Sequence, residues 1–191
     1  MKVGLFFGSF NPVHIGHLIL ADAVLDRARL DEVWLVVSPQ NPFKNKKSLL
    51  HEQDRYDLLV QAIGDNDRLR ASDVEFRLPR PSYTIDTLDA LQKKHPKHQF
   101  SVIMGGDNLT HFEKWKDYER ILTHYGILVF PRPGAVPPQD LVHHPAISLV
   151  DTPLLEVSAT YIRTCLREGR SVRYLLPDAV LATILRKGFY T

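Results

Sequence analysis

Two histidines, His14 and His17, stand three residues apart directly after the stretch Gly8-Ser9-Phe10-Asn11-Pro12-Val13. On a helix, side chains at that spacing share a face, so two imidazoles could address one phosphoryl group. The run before them, Val3-Gly4-Leu5-Phe6-Phe7, is apolar enough for a strand buried on both sides. A strand handing over to a helix offers backbone N–H groups and the positive end of a helix dipole, which together favour a phosphate. Gly8 predicts a sharp turn with close backbone approach to a ligand, and Gly16 predicts open space beside the histidines. Two plainer readings stand beside this one: surface or capping histidines, and a metal site. No further Cys, His or carboxylate lies close in sequence to support the metal.

The elements that must position this pair alternate along the chain. Strands are predicted over residues 3–7, 33–37, 69–76, 100–104, 127–130 and 147–150. Helices are predicted over 14–29, 51–63, 83–94, 159–167 and 178–186, with short helical pieces over 109–122. Ser82 is placed to cap the helix at 83–94. On the 51–63 helix, Tyr56, Leu59, Val60 and Ile63 form the expected apolar side. Alternating strands and helices imply right-handed crossovers and a parallel sheet. The expected fold is α/β: a Rossmann-like open parallel sheet with helices on both faces and a small C-terminal helical tail. One domain should cover residues 1–191, with the helices from about 159 packed on it. The Pro-rich stretch 131–138 lies between strand candidates and reads as a loop.

Bulk properties narrow the partners. The chain has 191 residues, 44% hydrophobic and 24% charged, with a formal net charge of +2. That is too mild a balance, and the Lys and Arg too scattered, for a nucleic-acid groove. No apolar run reaches the length of a membrane span, and the first residues do not form a signal peptide. The single cysteine, Cys165, forbids an intrachain disulfide and fits a reducing compartment, so the chain is expected to be cytoplasmic. A homo-oligomer is compatible with all of this.

Later residues supply further phosphate and ring chemistry. Ser158 and Thr160 open a helix where hydroxyls and N–H groups suit phosphate oxygens, although Ser158 also suits a simple cap. Arg163 lies one turn on, with a planar fork that matches phosphate. Asp107, after a strand and the pair Gly105-Gly106, suits ribose hydroxyls or a helix cap. Trp115 offers a stacking plane for a flat, electron-poor ring, or plain core packing. The helix start at Tyr83 and Thr84 favours a carboxylate over a neutral amide, with Asp86 as a competing charge.

These segments together resemble the bacterial nicotinate mononucleotide adenylyltransferases, within the nucleotidylyltransferases that carry H-x-G-H. The resemblance rests on Gly8-Ser9-Phe10-Asn11-Pro12 with His14-Ile15-Gly16-His17, and on Pro81-Ser82-Tyr83-Thr84-Ile85-Asp86-Thr87-Leu88. Met104-Gly105-Gly106-Asp107, the tryptophan loop around Trp115, and Val157-Ser158-Ala159-Thr160-Tyr161-Ile162-Arg163 complete it, in order, over nearly the whole chain. Departures are Phe7, Ser9, Asn11, Phe43 and Ala159, where the commoner residues are Gly, Thr, Asp, His and Ser. The resemblance implies transfer of AMP from ATP to nicotinate mononucleotide, with His14, His17, Lys44 and Arg163 as catalytic residues. It implies ATP binding by Gly8, Ser9, Phe10, Gly16, Gly105, Asp107, Ser158 and Thr160. Asn41, Tyr83, Thr84, Trp115 and Arg132 would bind the mononucleotide. Mg²⁺ is expected to be held mainly by ATP phosphates, without protein metal ligands. Pantetheine-phosphate adenylyltransferase and a non-catalytic nucleotide sensor on the same fold are the alternatives.

Overall fold

The computed structural model describes residues 1–39 and 49–191. Six strands form one sheet: β1 (Lys2–Gly8), β2 (Glu32–Val37), β3 (Leu69–Ser72), β4 (Gln99–Gly105), β5 (Gly126–Phe130) and β6 (Ile147–Leu149). Their order is β3-β2-β1-β4-β5-β6 and every pairing is parallel. This is the expected Rossmann-like sheet. Strand order reverses between β1 and β4, and a crevice opens there at the carboxyl ends, where Gly8 and Gly105 end their strands.

Period-two patterning explains why both faces are buried. Phe6, Val33, Leu35, Val37, Ile103, Leu128 and Phe130 face one core, while Val3, Leu5, Trp34, Val36, Val102, Met104 and Val129 face the other. Full burial of one such side chain is worth about 1.5–3 kcal/mol, so a register slip in any central strand would move its large side chains to the wrong layer. Helix α1 (Ile15–Arg27) packs on the first core through Leu20, Ala21, Val24 and Leu25. Helix α3 (Thr84–Lys94) packs on the second through Ile85, Leu88 and Leu91. Between them in sequence, α2 (Glu52–Ile63) buries Leu58 and Leu59 in the first core.

The short helices α4 (Gly106–Leu109), α5 (Tyr118–His124) and α6 (Gln139–Val142) occupy the crossovers around β4 to β6. The tail helices α7 (Ala159–Arg167) and α8 (Asp178–Lys187) add Ile162, Cys165, Val180 and Ile184 to the first core. Thr183 donates to the Gln61 side chain at 2.8 Å, and Lys187 pairs with Asp54 at 3.0 Å, so α8 is fastened to α2. No described helix is long and apolar enough to cross a membrane.

Three local expectations need correction. The strand predicted over 69–76 ends at Ser72, and a 3₁₀ turn follows at Val74–Arg77 that buries Glu75. Ser82 does not cap α3. Tyr83 holds the cap position without a side-chain bond. Ser82 instead turns its buried hydroxyl toward the Glu75 carboxyl, in company with Thr87, whose Oγ1 donates to Glu75 Oε1 at 2.9 Å. The buried face of α2 is Arg55, Leu58 and Leu59, with Val60 left 47% exposed. The reason is that Arg55 itself is drawn inward by backbone acceptors.

Candidate active site

The signature loop is built on ring packing. Phe10, not Gly8, takes the sharp turn: its φ is +44° and its side chain is fully buried. The ring folds back over Gly8, where a Cβ would lie 2.9 Å from it, so a side chain at this position would displace the ring. Phe10 then supports His17 edge-on at 5.0 Å, with Phe6 at 6.2 Å from the same imidazole. The Phe10 ring is therefore committed to packing, which leaves its backbone as the part that could face ATP. Its burial makes it a floor for His17.

His14 and His17 stack at 3.7 Å between centroids, with 25° between planes. The N–H of His14 donates to His17 Nδ1 at 3.2 Å, and His17 N–H donates to the His14 carbonyl at 2.9 Å. An accepting Nδ1 puts the proton of a neutral His17 on Nε2, so the far side of the ring is a donor. His14 is 5% exposed, and burial with the nearby Arg132 guanidinium holds its pKa down at about 4. It is a neutral imidazole at ordinary pH, and its Nδ1 is buried without a partner. Gly16 leaves room for that ring: a Cβ there would meet His14 Nδ1 at 3.0 Å and the Val157 side chain at 3.5 Å. A side chain at Gly16 would therefore press on the His14 ring. The N–H of Ile15, the first residue of α1, donates to the Leu175 carbonyl at 3.0 Å.

Other predicted residues converge on this pair. Arg163 Nη1 donates to the Asn11 carbonyl at 2.7 Å, and Nη2 to Thr160 Oγ1 at 3.3 Å. Burial lowers its pKa, but an arginine stays charged. Arg163 thus clips α7 to the signature loop, with part of its fork committed to protein. Ser158 caps α7 by accepting from Tyr161 N–H at 3.2 Å, so the simpler reading of Ser158 holds at least in part. Across the crevice, Arg132 Nε lies 3.7 Å from Asp107 Oδ1. A Cβ on Gly105 would collide with both side chains, which is why glycine ends β4.

Tyr83, Thr84 and Trp115 form a second group. Thr84 is the first residue of α3, whose first turn receives no side-chain cap. Asp86, the expected competitor there, pairs with Lys116 at 2.9 Å, and the Lys116 ammonium lies 5.0 Å over the Tyr83 ring. The indole of Trp115 is half-buried and tilts against Phe112 at 5.4 Å. Asn41, Phe43 and Lys44 lie outside the described residues.

Residue-by-residue reading missed Arg55. Its guanidinium is wholly buried and donates to four carbonyls: Ser9 at 2.6 Å, Ser38 at 2.9 Å, Pro39 at 3.0 Å and Leu50 at 2.9 Å. It ties the signature loop to the chain beyond β2 and to the approach to α2. Its spacing, three and four residues before Leu58 and Leu59, was the available signal.

Known proteins agree with this geometry. The cytidylyltransferase-like family matches residues 5–165. A Cytophaga hutchinsonii protein named nicotinate-nucleotide adenylyltransferase is 52% identical, covering 100% of this chain and 99% of that one. The chain belongs to the nicotinate-nucleotide adenylyltransferases of the cytidylyltransferase-like family. A Flavobacterium johnsoniae relative of the same name is 45% identical over 100% of this chain and 99% of its own. Among solved structures, the Plasmodium falciparum nicotinic acid mononucleotide adenylyltransferase complexed with NaAD shares the fold. Its TM-score is 0.82 at 17% identity, covering 99% of this chain and 97% of that one.

Proposed function

We propose that the chain transfers AMP from ATP to nicotinate mononucleotide. The phosphate oxygen of the mononucleotide forms a bond to the α-phosphorus, the bond from that phosphorus to the α–β bridging oxygen breaks, and pyrophosphate leaves with that oxygen. The observation that carries this reading is the stacked His14–His17 pair at the strand-order reversal, with His17 Nε2 oriented as a donor. In such transfers the protein positions the reactants and stabilises developing charge, without a covalent intermediate.

His17 donates to the transferring phosphoryl group. His14 stays neutral behind it, and its stacking and its N–H hold the His17 ring. Arg163 and Lys44 balance negative charge, while Ser158 and Thr160 stand at the exposed start of α7 for the triphosphate tail. Ser9, Gly16 and Gly105 shape the walls, Asp107 takes the adenosine ribose, and Arg132 and Asn41 serve the mononucleotide. The uncapped first turn of α3 with Thr84 reads the nicotinate carboxylate, and Trp115 and Tyr83 hold the ring. Pairing of Asp86 with Lys116 removes the charge that would oppose this.

A Mg²⁺ ion bound with the triphosphate would supply charge neutralisation, held by phosphate oxygens rather than by described side chains. The groups described beside His14 are the His17 imidazole and the Arg132 guanidinium, and no described group of three or more His, Cys, Asp or Glu could hold a metal. That donor set fits an ion ligated by phosphate oxygens and water. A single buried cysteine, Cys165, accords with a cytoplasmic setting.

The test supplies ATP labelled at the α-phosphate together with nicotinate mononucleotide. Label should appear in a dinucleotide with one pyrophosphate released per turnover. Pyrophosphate release that does not depend on the mononucleotide would refute the reading.

A further inference from the structure

The hydroxyl of Tyr190, at the far end of the sequence, donates to Asn11 Oδ1 at 2.7 Å inside the signature loop. Asn11 is only 5% exposed, and the same oxygen accepts from Leu50 N–H at 3.2 Å. The backbone carbonyl of Asn11 accepts from Arg163 at 2.7 Å. One residue therefore joins the loop that leads into His14 to the arginine of α7, and Tyr190 holds that residue by its side chain. The tail is shaped for this. Gly188 ends α8 in the left-handed region at φ +63°, Phe189 packs against the first core, and Tyr190 is itself left-handed at φ +67°. A non-glycine residue is held there at some cost, which is common where a side chain must be aimed.

We propose that Tyr190 is a positioning residue for AMP transfer, acting through Asn11 on the signature loop and on Arg163. Three observations support it. The bond is short and spans the whole chain length. Burial pushes the Tyr190 phenol up, against the opposing pull of Arg163 and Arg55, so the hydroxyl remains a protonated donor across neutral pH. Asn11 uses its acceptor oxygen twice, toward the Tyr190 hydroxyl and toward the Leu50 N–H. Among the described residues, the Tyr190 hydroxyl bonds to Asn11 and lies in the fields of Arg163, Arg55 and Asp54. Its effect must therefore fall on the alignment of the phosphate groups and not on substrate affinity. Small misplacements of reacting groups cost rate steeply.

The inference rests on the proposed AMP transfer, and one experiment separates the two. Wild type, Tyr190→Phe, Arg163→Ala and the double variant are assayed as full chains with ATP and nicotinate mononucleotide, beside thermal melts. Tyr190→Phe keeps the buried ring and loses only the donor. We expect kcat to fall about five- to twentyfold, both KM values to stay within about twofold, and the melting temperature to stay close to wild type. In the Arg163→Ala background the same change should cost clearly less than in wild type, because the part of its effect that passes from Asn11 to Arg163 is gone. Unchanged kcat, a loss confined to KM, a loss that tracks a fallen melting temperature, or full additivity with Arg163→Ala would overturn the proposal. An inactive wild type would instead overturn the AMP-transfer reading.

Discussion

The two ends of the candidate site are built differently. At the signature loop, Phe10, Asn11 and His14 are buried, Arg55 grips four carbonyls, and Arg163 and Tyr190 close on Asn11. At the ring end, Tyr83 is 38% exposed, Trp115 is half-buried, and the fastening contact is the surface pair Lys116–Asp86. An exposed ion pair of that kind is screened by solvent and contributes little, whereas leaving one buried donor or acceptor unmatched costs about 1–3 kcal/mol. The loop end is therefore preorganised for a reaction that demands alignment. The ring end is held loosely enough to suit binding and selection. Rate should live at one end and preference at the other.

The largest effect expected from breaking this division is at His17. His17→Ala removes a preoriented donor from the stacked pair and should lower kcat roughly a hundred- to a thousandfold, with circular dichroism unchanged. Near-normal turnover by the folded variant would take the pair out of the chemistry.

Next comes the pH dependence of stability. The folded pKa of His14 is about 4, below its ordinary 6.5. Protonation therefore favours the unfolded chain. The contribution is fully present above pH 6.5 and is lost as pH falls through about 4. The loss should reach about 3 kcal/mol at that point. Unfolding free energies at pH 7 and pH 4 for wild type and His14→Gln measure it. The variant should lack this part of the slope, and parallel slopes would place the neutral imidazole elsewhere.

A smaller change is expected for Arg163→Lys. An ammonium keeps the charge but cannot span Asn11, Thr160 and a phosphate together. Turnover or ATP affinity should fall about tenfold, while binding of adenosine stays nearly constant. Equal weakening of both ligands would make Arg163 a purely structural clip.

How far the sequence carried this picture follows the same division. Periodicity placed all six strands and the main helices, because alternating burial on a two-sided sheet leaves a strong pattern. Motif spacing brought His14, His17, Arg163 and Thr160 to one end of the sheet. What it misjudged were contacts between segments remote in sequence. Ser82 reads as a cap until the buried Glu75 is seen beside it, and Arg55 draws no notice until four carbonyls converge on it. Phe10 gives no sign in the motif that its ring supports His17. Tyr190 gives no local signal, since its partner lies 179 residues away.

The most direct measurement is kcat/KM for nicotinate and nicotinamide mononucleotides in wild type, His17→Ala, Trp115→Ala and Thr84→Val. The wild type should prefer nicotinate by roughly ten- to a hundredfold, the range expected when an amide meets donors arranged for a carboxylate. His17→Ala should depress both values and leave their ratio unchanged. Trp115→Ala should raise both KM values in similar proportion, since stacking senses the ring more than its substituent. Thr84→Val should harm mainly the nicotinate substrate and narrow the ratio. A ratio that moves with His17→Ala, or that Trp115→Ala abolishes while Thr84→Val leaves it intact, would contradict the separation of rate from preference.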